Sequence, residues 1–364
     1  MPASLLPLAL CLLPLAQASG EEGGGAHLRP TVHSAHGESH DLPGAPESAD
    51  DGDHPHESAP LDPPGGVKVG ETLEIHAWAG AGYSAHKLAD GEVAFGPDVR
   101  MARMAGRVHY DHEGDIFFQF EASDGTARLL DARVSIEMGE HFEVRAGRMK
   151  TSTSAEYLVP QPILHHVNRA RLIEWVPKRQ VGVEAIVTPF QPGFDLQAGV
   201  FNVAGTEPVE GSGALLIGRL RFEPVHNFQV HLSYTDHQEG RRADPSFHPE
   251  HDQLIDGAIE FDTDGWMFHV EGLGRLENEA HGRGLVTFAS VGHHFGHDPD
   301  GFGIEPVVAY DHIVEEIGVS ENAAAGLNVL IHGHHLMQLT EFELHRYPDG
   351  TTDQAVYVQL RGGV

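Results

Sequence analysis

Residues 150 to 179 carry a net excess of cations. Lys150, Arg169, Arg171, Lys178 and Arg179 stand there against only Glu156 and Glu174, in a protein whose formal net charge is −31. Guanidinium and ammonium groups gathered in this way replace part of the water that an anion sheds on entering a narrow space, so they lower its entry barrier. Further cations, Arg103, Arg107, Arg133, Arg145, Arg219 and Arg221, recur on one parity of alternating segments, interspersed with Asp131. That chemistry is guidance of charge without bond making. An ordinary solvated loop would carry the same composition, so the elements around it must decide.

Histidine is the second signal. The chain has 28, grouped as six within residues 20 to 66, His293, His294 and His297 in one polar turn, and His332, His334 and His335 in the next. Imidazoles beside carboxylates are ligands for zinc, copper or nickel; without a defined tetrahedral set they hold the ion weakly. Short polar turns also tolerate histidine with no metal, and no cofactor is required. Nothing resembles catalytic machinery: there is no nucleophile elbow, no helix-borne metal motif and no glycine-rich loop between a strand and a helix. The expectation is that the protein is not an enzyme. Its acidity also excludes nucleic acid as a partner, because a phosphate backbone requires a basic surface.

The elements that must position these residues are strands. After residue 67 no convincing amphipathic helix appears and period-2 alternation recurs almost everywhere, which predicts an all-β domain over 67–364. Fifteen connections divide it into about 16 strands, a length compatible with about 9–11 residues per tilted spanning strand. Tight turns such as Thr263-Asp264-Gly265 alternate with longer connections at 86–97, 151–179, 203–212 and 236–252. Leu130, Ala132, Val134 and Ile136 oppose Asp131, Arg133, Ser135 and Glu137, and Phe228, Val230, Leu232 and Tyr234 oppose Gln229, His231 and Ser233. In a soluble sandwich the apolar set would face a core; in a transmembrane antiparallel β-barrel it would face lipid, with the charged set lining a lumen. Periodicity does not choose between these. Short turns at one rim, long loops at the other, and aromatics placed at strand ends (Tyr110, Phe222, Trp266, Tyr357) favour the barrel.

The chain's beginning agrees with export. Residues 1–18 form a Leu-rich core ending in Ala16-Gln17-Ala18, the small-x-small pattern of a cleaved signal peptide. Cys11 is the only cysteine and falls within it, so a processed chain would have no disulfide. Residues 19–66 are rich in His, Asp, Glu and Pro with almost nothing apolar, a composition expected to be disordered. Charge is uneven beyond them: 67–225 hold 16 Lys or Arg against 21 Asp or Glu, whereas 226–364 hold 6 against 23. A basic wall facing an acidic one orients dipolar solutes, and the inward acidic set of Asp256, Glu260, Glu271, Glu305, Asp311, Glu341 and Glu343 would even suit a cation-preferring pore.

The stretch LLDARVSIEMGEHFEVRAGRMKTSTSAEYLVPQPILHHVNRARLIEWVPKRQVGVEAIV, followed by FDLQAGVFN and GRLRFEP, resembles the phosphate-selective porin O/P family of Gram-negative outer membranes. The order of Asp131-Ala132, Ala146-Gly147-Arg148-Met149-Lys150, Arg179 to Gly182, Gly199-Val200-Phe201-Asn202 and Gly218-Arg219 carries the likeness over residues 70 to 225. The resemblance implies a sixteen-stranded barrel, a homotrimer in outer-membrane lipid, a long third loop folded into the pore, and arginines guiding small ions or solutes. The terminal Arg361-Gly362-Gly363-Val364 departs from the family's usual final Phe, as does the His-rich preface. Two alternatives stand beside a passive porin with loop 151–179 narrowing its lumen. One is a metal-linked porin with divalent cations at a periplasmic rim; the other is a secreted soluble β-protein that spans nothing.

Overall fold

The computed structural model describes residues 67–70, 72–110, 114–122, 126–188, 193–202, 213–238, 253–277, 282–296, 301–332 and 335–363. The expected signal peptide and preface, His297, His334 and the connections 203–212 and 239–252 lie outside them.

The strands are β1 (Val67–Val69), β2 (Leu73–Lys87), β3 (Val93–Tyr110), β4 (Gly114–Glu121), β5 (Arg128–Glu137), β6 (Phe142–Lys150), β7 (Arg179–Val187), β8 (Phe194–Asn202) and β9 (Ala214–Val225). They continue as β10 (Phe228–Gln238), β11 (Gln253–Thr263), β12 (Trp266–Glu277), β13 (Gly284–His293), β14 (Gly303–Glu315), β15 (Gly318–His332), β16 (Leu336–Arg346) and β17 (Thr352–Gly363). Each strand from β2 onward pairs antiparallel with the next, and β17 returns to β2 with Val358 opposite Tyr83, closing a ring of sixteen. Closure removes the unpaired edges that an open sheet of this width would present. The short β1 adds a flap, Val67 opposite Ile75.

Side-chain parity is inverted relative to a soluble protein. On β5, Asp131, Arg133 and Ser135 are buried while Val134 and Ile136 are exposed; on β10, His231, Ser233 and Thr235 are buried while Leu232 and Tyr234 are exposed. The same holds on the far side, where Glu341 and Gln359 are buried and Phe342, Val358 and Leu360 exposed. An exposed belt of this kind is stable only where hydrocarbon solvates it, so the barrel is a membrane-spanning one. At the rim of the tight turns an aromatic girdle forms: Phe194 against Phe222, and Phe228, Phe261, Phe268 and Trp266 in successive contact.

Turn chemistry fits the alternation. Asp264 and Gly265 both have positive φ (48° and 80°), the two-residue hairpin geometry that Asp-Gly supplies. Two expectations need correction. The connection placed at 86–97 shrinks to 88–92, because Ala94, Gly96 and Pro97 extend β3 beyond the belt as pairs of His86, Ser84 and Tyr83. Tyr357 is not a girdle residue: it lies in the middle of β17, 6 % exposed, pointing inward. Its parity with Ala355 and Gln359 decides this, since strand position alone does not distinguish the two faces.

Candidate lumen site

The connection between β6 and β7, residues 151–178, lies inside the barrel. Ser154 caps a single helical turn, α1 (Ala155–Leu158), accepting from Tyr157 N at 3.1 Å. Two 3-10 turns follow, at Gln161–Ile163 and Arg171–Glu174. Leu172, Ile173, Trp175 and Val176 pack with Leu254, Leu273, Val286 and Phe288 of β11 to β13, forming the main apolar cluster, while Val167 packs on Leu330, Met337 and Leu339. Burying these groups in an otherwise polar lumen ties the loop to one wall.

The wall in question is the acidic one. Glu271 accepts from Glu156 N at 2.8 Å, Glu341 from Val167 N at 3.2 Å, and Asp311 from Arg171 N at 3.0 Å. Glu343 accepts from Asn168 Nδ2 at 2.6 Å. His165 and His166 of the loop place Nδ1 3.3 Å from Glu305 and 3.1 Å from Glu341. Five of the seven inward carboxylates expected to face the pore are therefore engaged with the loop. Glu260 is held by His269 at 3.0 Å. Parity gives the face these carboxylates take; the loop's contacts with five of them depend on where the chain folds.

Cations hold the loop's carbonyls. Lys150 Nζ donates to Tyr157 O at 2.8 Å, Leu158 O at 3.2 Å and Val159 O at 3.3 Å, at the C-terminal end of α1. Arg169 donates to Glu156 O and Val159 O, both at 2.6 Å. Arg361 of β17 donates to Gln161 O at 2.9 Å and Leu164 O at 2.8 Å. Burial pushes the Glu156 carboxyl above the usual carboxylate range, with Arg169 opposing, and lowers the Arg169 guanidinium from its ordinary value.

Between the loop turn at Pro160 and Gln161 and the opposite wall of β2 to β7 lies a small lumen cavity of about 20 Å³. Arg103, Arg133, Lys150 and Arg179 line it together with Asp131 and Glu184, four cations against two carboxylates. Trp78, Gln119 and Met149 complete the wall. Arg179 Nε lies 3.0 Å from both oxygens of Asp131, Arg103 donates to Glu121 at 2.8 and 2.7 Å, and Arg133 lies 4.7 Å over the Phe117 ring. Glu184 accepts from Ser152 Oγ at 2.6 Å.

The sequence-derived residues thus divide. Arg103, Asp131, Arg133, Lys150 and Arg179 meet at the cavity. Arg169 is folded into the loop, Arg171 pairs with Glu174 at 3.0 Å on the acidic wall, and Lys178 is exposed at the loop's end. Arg107, Arg145, Arg219 and Arg221 face inward elsewhere, beside Asp115, Glu143, His231 and Asp195 at 3.9, 2.6, 2.6 and 2.5 Å. Trp78, Glu184 and Arg361 were not anticipated, although inward parity with His76, Gly182 and Gln359 would have found them. Of the candidate metal ligands, His294 Nδ1 lies 3.1 Å from Glu305, His293 packs edge-on against Trp266, and the rings of His332 and His335 are 5.9 Å apart. Among the described residues no three His, Cys, Asp or Glu side chains converge as ligands of one ion.

A closed sixteen-stranded antiparallel barrel with an apolar exterior, a charged interior and one long loop folded inward defines the porin class of architecture. The chain is accordingly similar to an anion-selective porin from Comamonas acidovorans (11 % identity, 80 % of this chain and 99 % of that one, TM-score 0.59) and to OmpF of Salmonella typhi solved with daunomycin (11 %, 80 % and 97 %, TM-score 0.60). It is also similar to the trimer form of OmpT, an outer-membrane protein of Vibrio cholerae (10 %, 80 % and 99 %, TM-score 0.55). At these identities the likeness is one of fold. No protein-family model matches the chain, nor does any curated protein.

Proposed function

We propose that the protein is an outer-membrane porin, reached after removal of residues 1–18, that lets small hydrophilic solutes diffuse passively and favours small anions, phosphate among them. Loop 151–178 narrows the lumen. The carrying observation is the cavity beside Pro160 and Gln161, where cations outnumber carboxylates while the acidic wall is turned onto the loop. Excess positive charge there replaces lost hydration without tight binding, which is what a diffusive pore requires. The mechanism needs no bond making. Association as a homotrimer is supported by the trimer form of the similar OmpT barrel.

The test is the sign of the reversal potential of the purified protein in planar bilayers under asymmetric KCl. An anion-preferring sign that moves toward zero in Arg133→Gln is expected; a cation-preferring sign rejects the anion reading and leaves the porin.

A second reading adds weak Zn, Cu or Ni binding at the turn rim. It is supported by His332 and His335 lying close together. Zinc titration of the whole protein against a His332→Asn, His335→Asn double variant tests it, with loss of a weak site expected and unchanged binding overturning it.

A further inference from the structure

A second and much larger cavity, of about 340 Å³, lies on the tight-turn side of the loop, between residues 159–166 and the wall of β10 to β14. Asn227 and Asp262, next to two of the tight turns, belong to its lining, so it reaches that rim. Its volume is that of a small-molecule pocket. Val159 and Ile163 of the loop and Met267 of β12 line it and are only half-buried, which leaves apolar surface for a solute to touch.

The charge of this cavity is opposite to that of the small one. Glu156, Glu260 and Asp262 line it and no Lys or Arg does; its other titratable groups are His165, His166 and His269. Two of the carboxylates are partly answered, Glu156 by Arg169 at 4.0 Å, and Glu260 by His269 at 3.0 Å and His231 at 3.5 Å. Asp262 is exposed and forms no ion pair among the described residues. It stands two residues from Glu260 on β11, so the two share the inward face. Among the described residues no three side chains converge as ligands of one ion, so the lining does not suit a bare divalent cation. A cation whose charge sits at one end of an apolar body finds both halves of its complement: carboxylate oxygens that accept from an ammonium, and Val159, Ile163 and Met267 to cover the body. An anion with the same body meets charge of its own sign.

Resting on the porin reading, we infer that this cavity is a binding site for organic monoammonium solutes with an apolar body, their ammonium toward Glu260 and Asp262 and their body against Val159, Ile163 and Met267. The lumen thereby holds amphiphilic cations at its acidic wall, apart from the cationic wall that small anions meet.

The experiment measures block of chloride current through the whole protein in planar bilayers by phenethylammonium, methylammonium and phenylpropionate. Half-block by phenethylammonium is expected at a concentration about tenfold below that for methylammonium, from contact with roughly one ring face, with phenylpropionate no tighter than methylammonium. Met267→Thr is expected to remove most of the advantage over methylammonium, and Asp262→Asn to weaken block by phenethylammonium about threefold, within the range for one exposed charge pair. Equal block by the two ammonium ions, block by phenylpropionate as tight as by phenethylammonium, or an advantage that survives both substitutions overturns the inference. Any of these in a barrel that conducts leaves the porin reading standing, whereas a barrel that inserts in the bilayer and carries no current removes both.

Discussion

Arg361 on the last strand and Leu164 in the inward loop are joined by a 2.8 Å hydrogen bond from guanidinium to carbonyl, across a sequence separation of 197 residues. The same nitrogen reaches Gln161 O at 2.9 Å. The strand that closes the barrel therefore also fixes the loop turn that borders the cavity. Arg361→Ala is expected to weaken loop docking by about 2–3 kcal/mol, the range for losing charged hydrogen bonds. Faster amide exchange over 151–178, with unchanged heat resistance of the barrel, is the readout; Arg361→Lys should recover part of the protection.

Glu271 and Glu341 serve the loop. Glu271→Gln and Glu341→Gln each keep an acceptor oxygen for Glu156 N and Val167 N while removing a charge. Both are expected to shift the reversal potential less than Arg133→Gln does. A larger shift would return these carboxylates to the solute's path.

Loop docking should also depend on pH through Glu156. Its carboxyl is raised by burial, with Arg169 pulling the other way, so the folded loop binds the proton more tightly than a released one. The associated stabilisation is complete below the ordinary carboxylate range and is lost as pH rises through the raised value. Protease cleavage within 151–178 should increase over that window, and Glu156→Gln should flatten the profile.

The exterior can be tested independently. Val270 is 54 % exposed on β12, within the apolar belt, next to inward-facing Glu271. Val270→Arg is expected to cost about 2–4 kcal/mol of folding into bilayers, the range for a basic residue near the midplane, while Val270→Leu is neutral. Folding yield against urea in lipid vesicles distinguishes them, and a tolerated arginine would argue against lipid on that face.

Much of the architecture was legible in particular residues. Asp131, Arg133 and Ser135 against Val134 and Ile136 already separated two faces, and Asp264-Gly265 already specified a two-residue turn, because strand period and turn chemistry are local properties. The constriction was legible in part. Arg103, Asp131, Arg133, Lys150 and Arg179 meet, but Arg169 and Arg171, equally cationic and in the same stretch, do not line the cavity. Composition placed them together; backbone carbonyls and Glu174 took them elsewhere.

By itself the chain determined an alternating, turn-punctuated ribbon with one oily face, a long cationic connection and a strongly acidic second half. Tertiary structure alone decided that the ribbon closes with β17 on β2, that the oily face is outside, and that the acidic half receives the loop through Glu271, Asp311 and Glu341. The physical reason is range. Alternation and turns are set by neighbours a few residues apart, whereas Arg361 and Leu164 meet only once sixteen strands have closed, and no local preference encodes a partner that closure brings near.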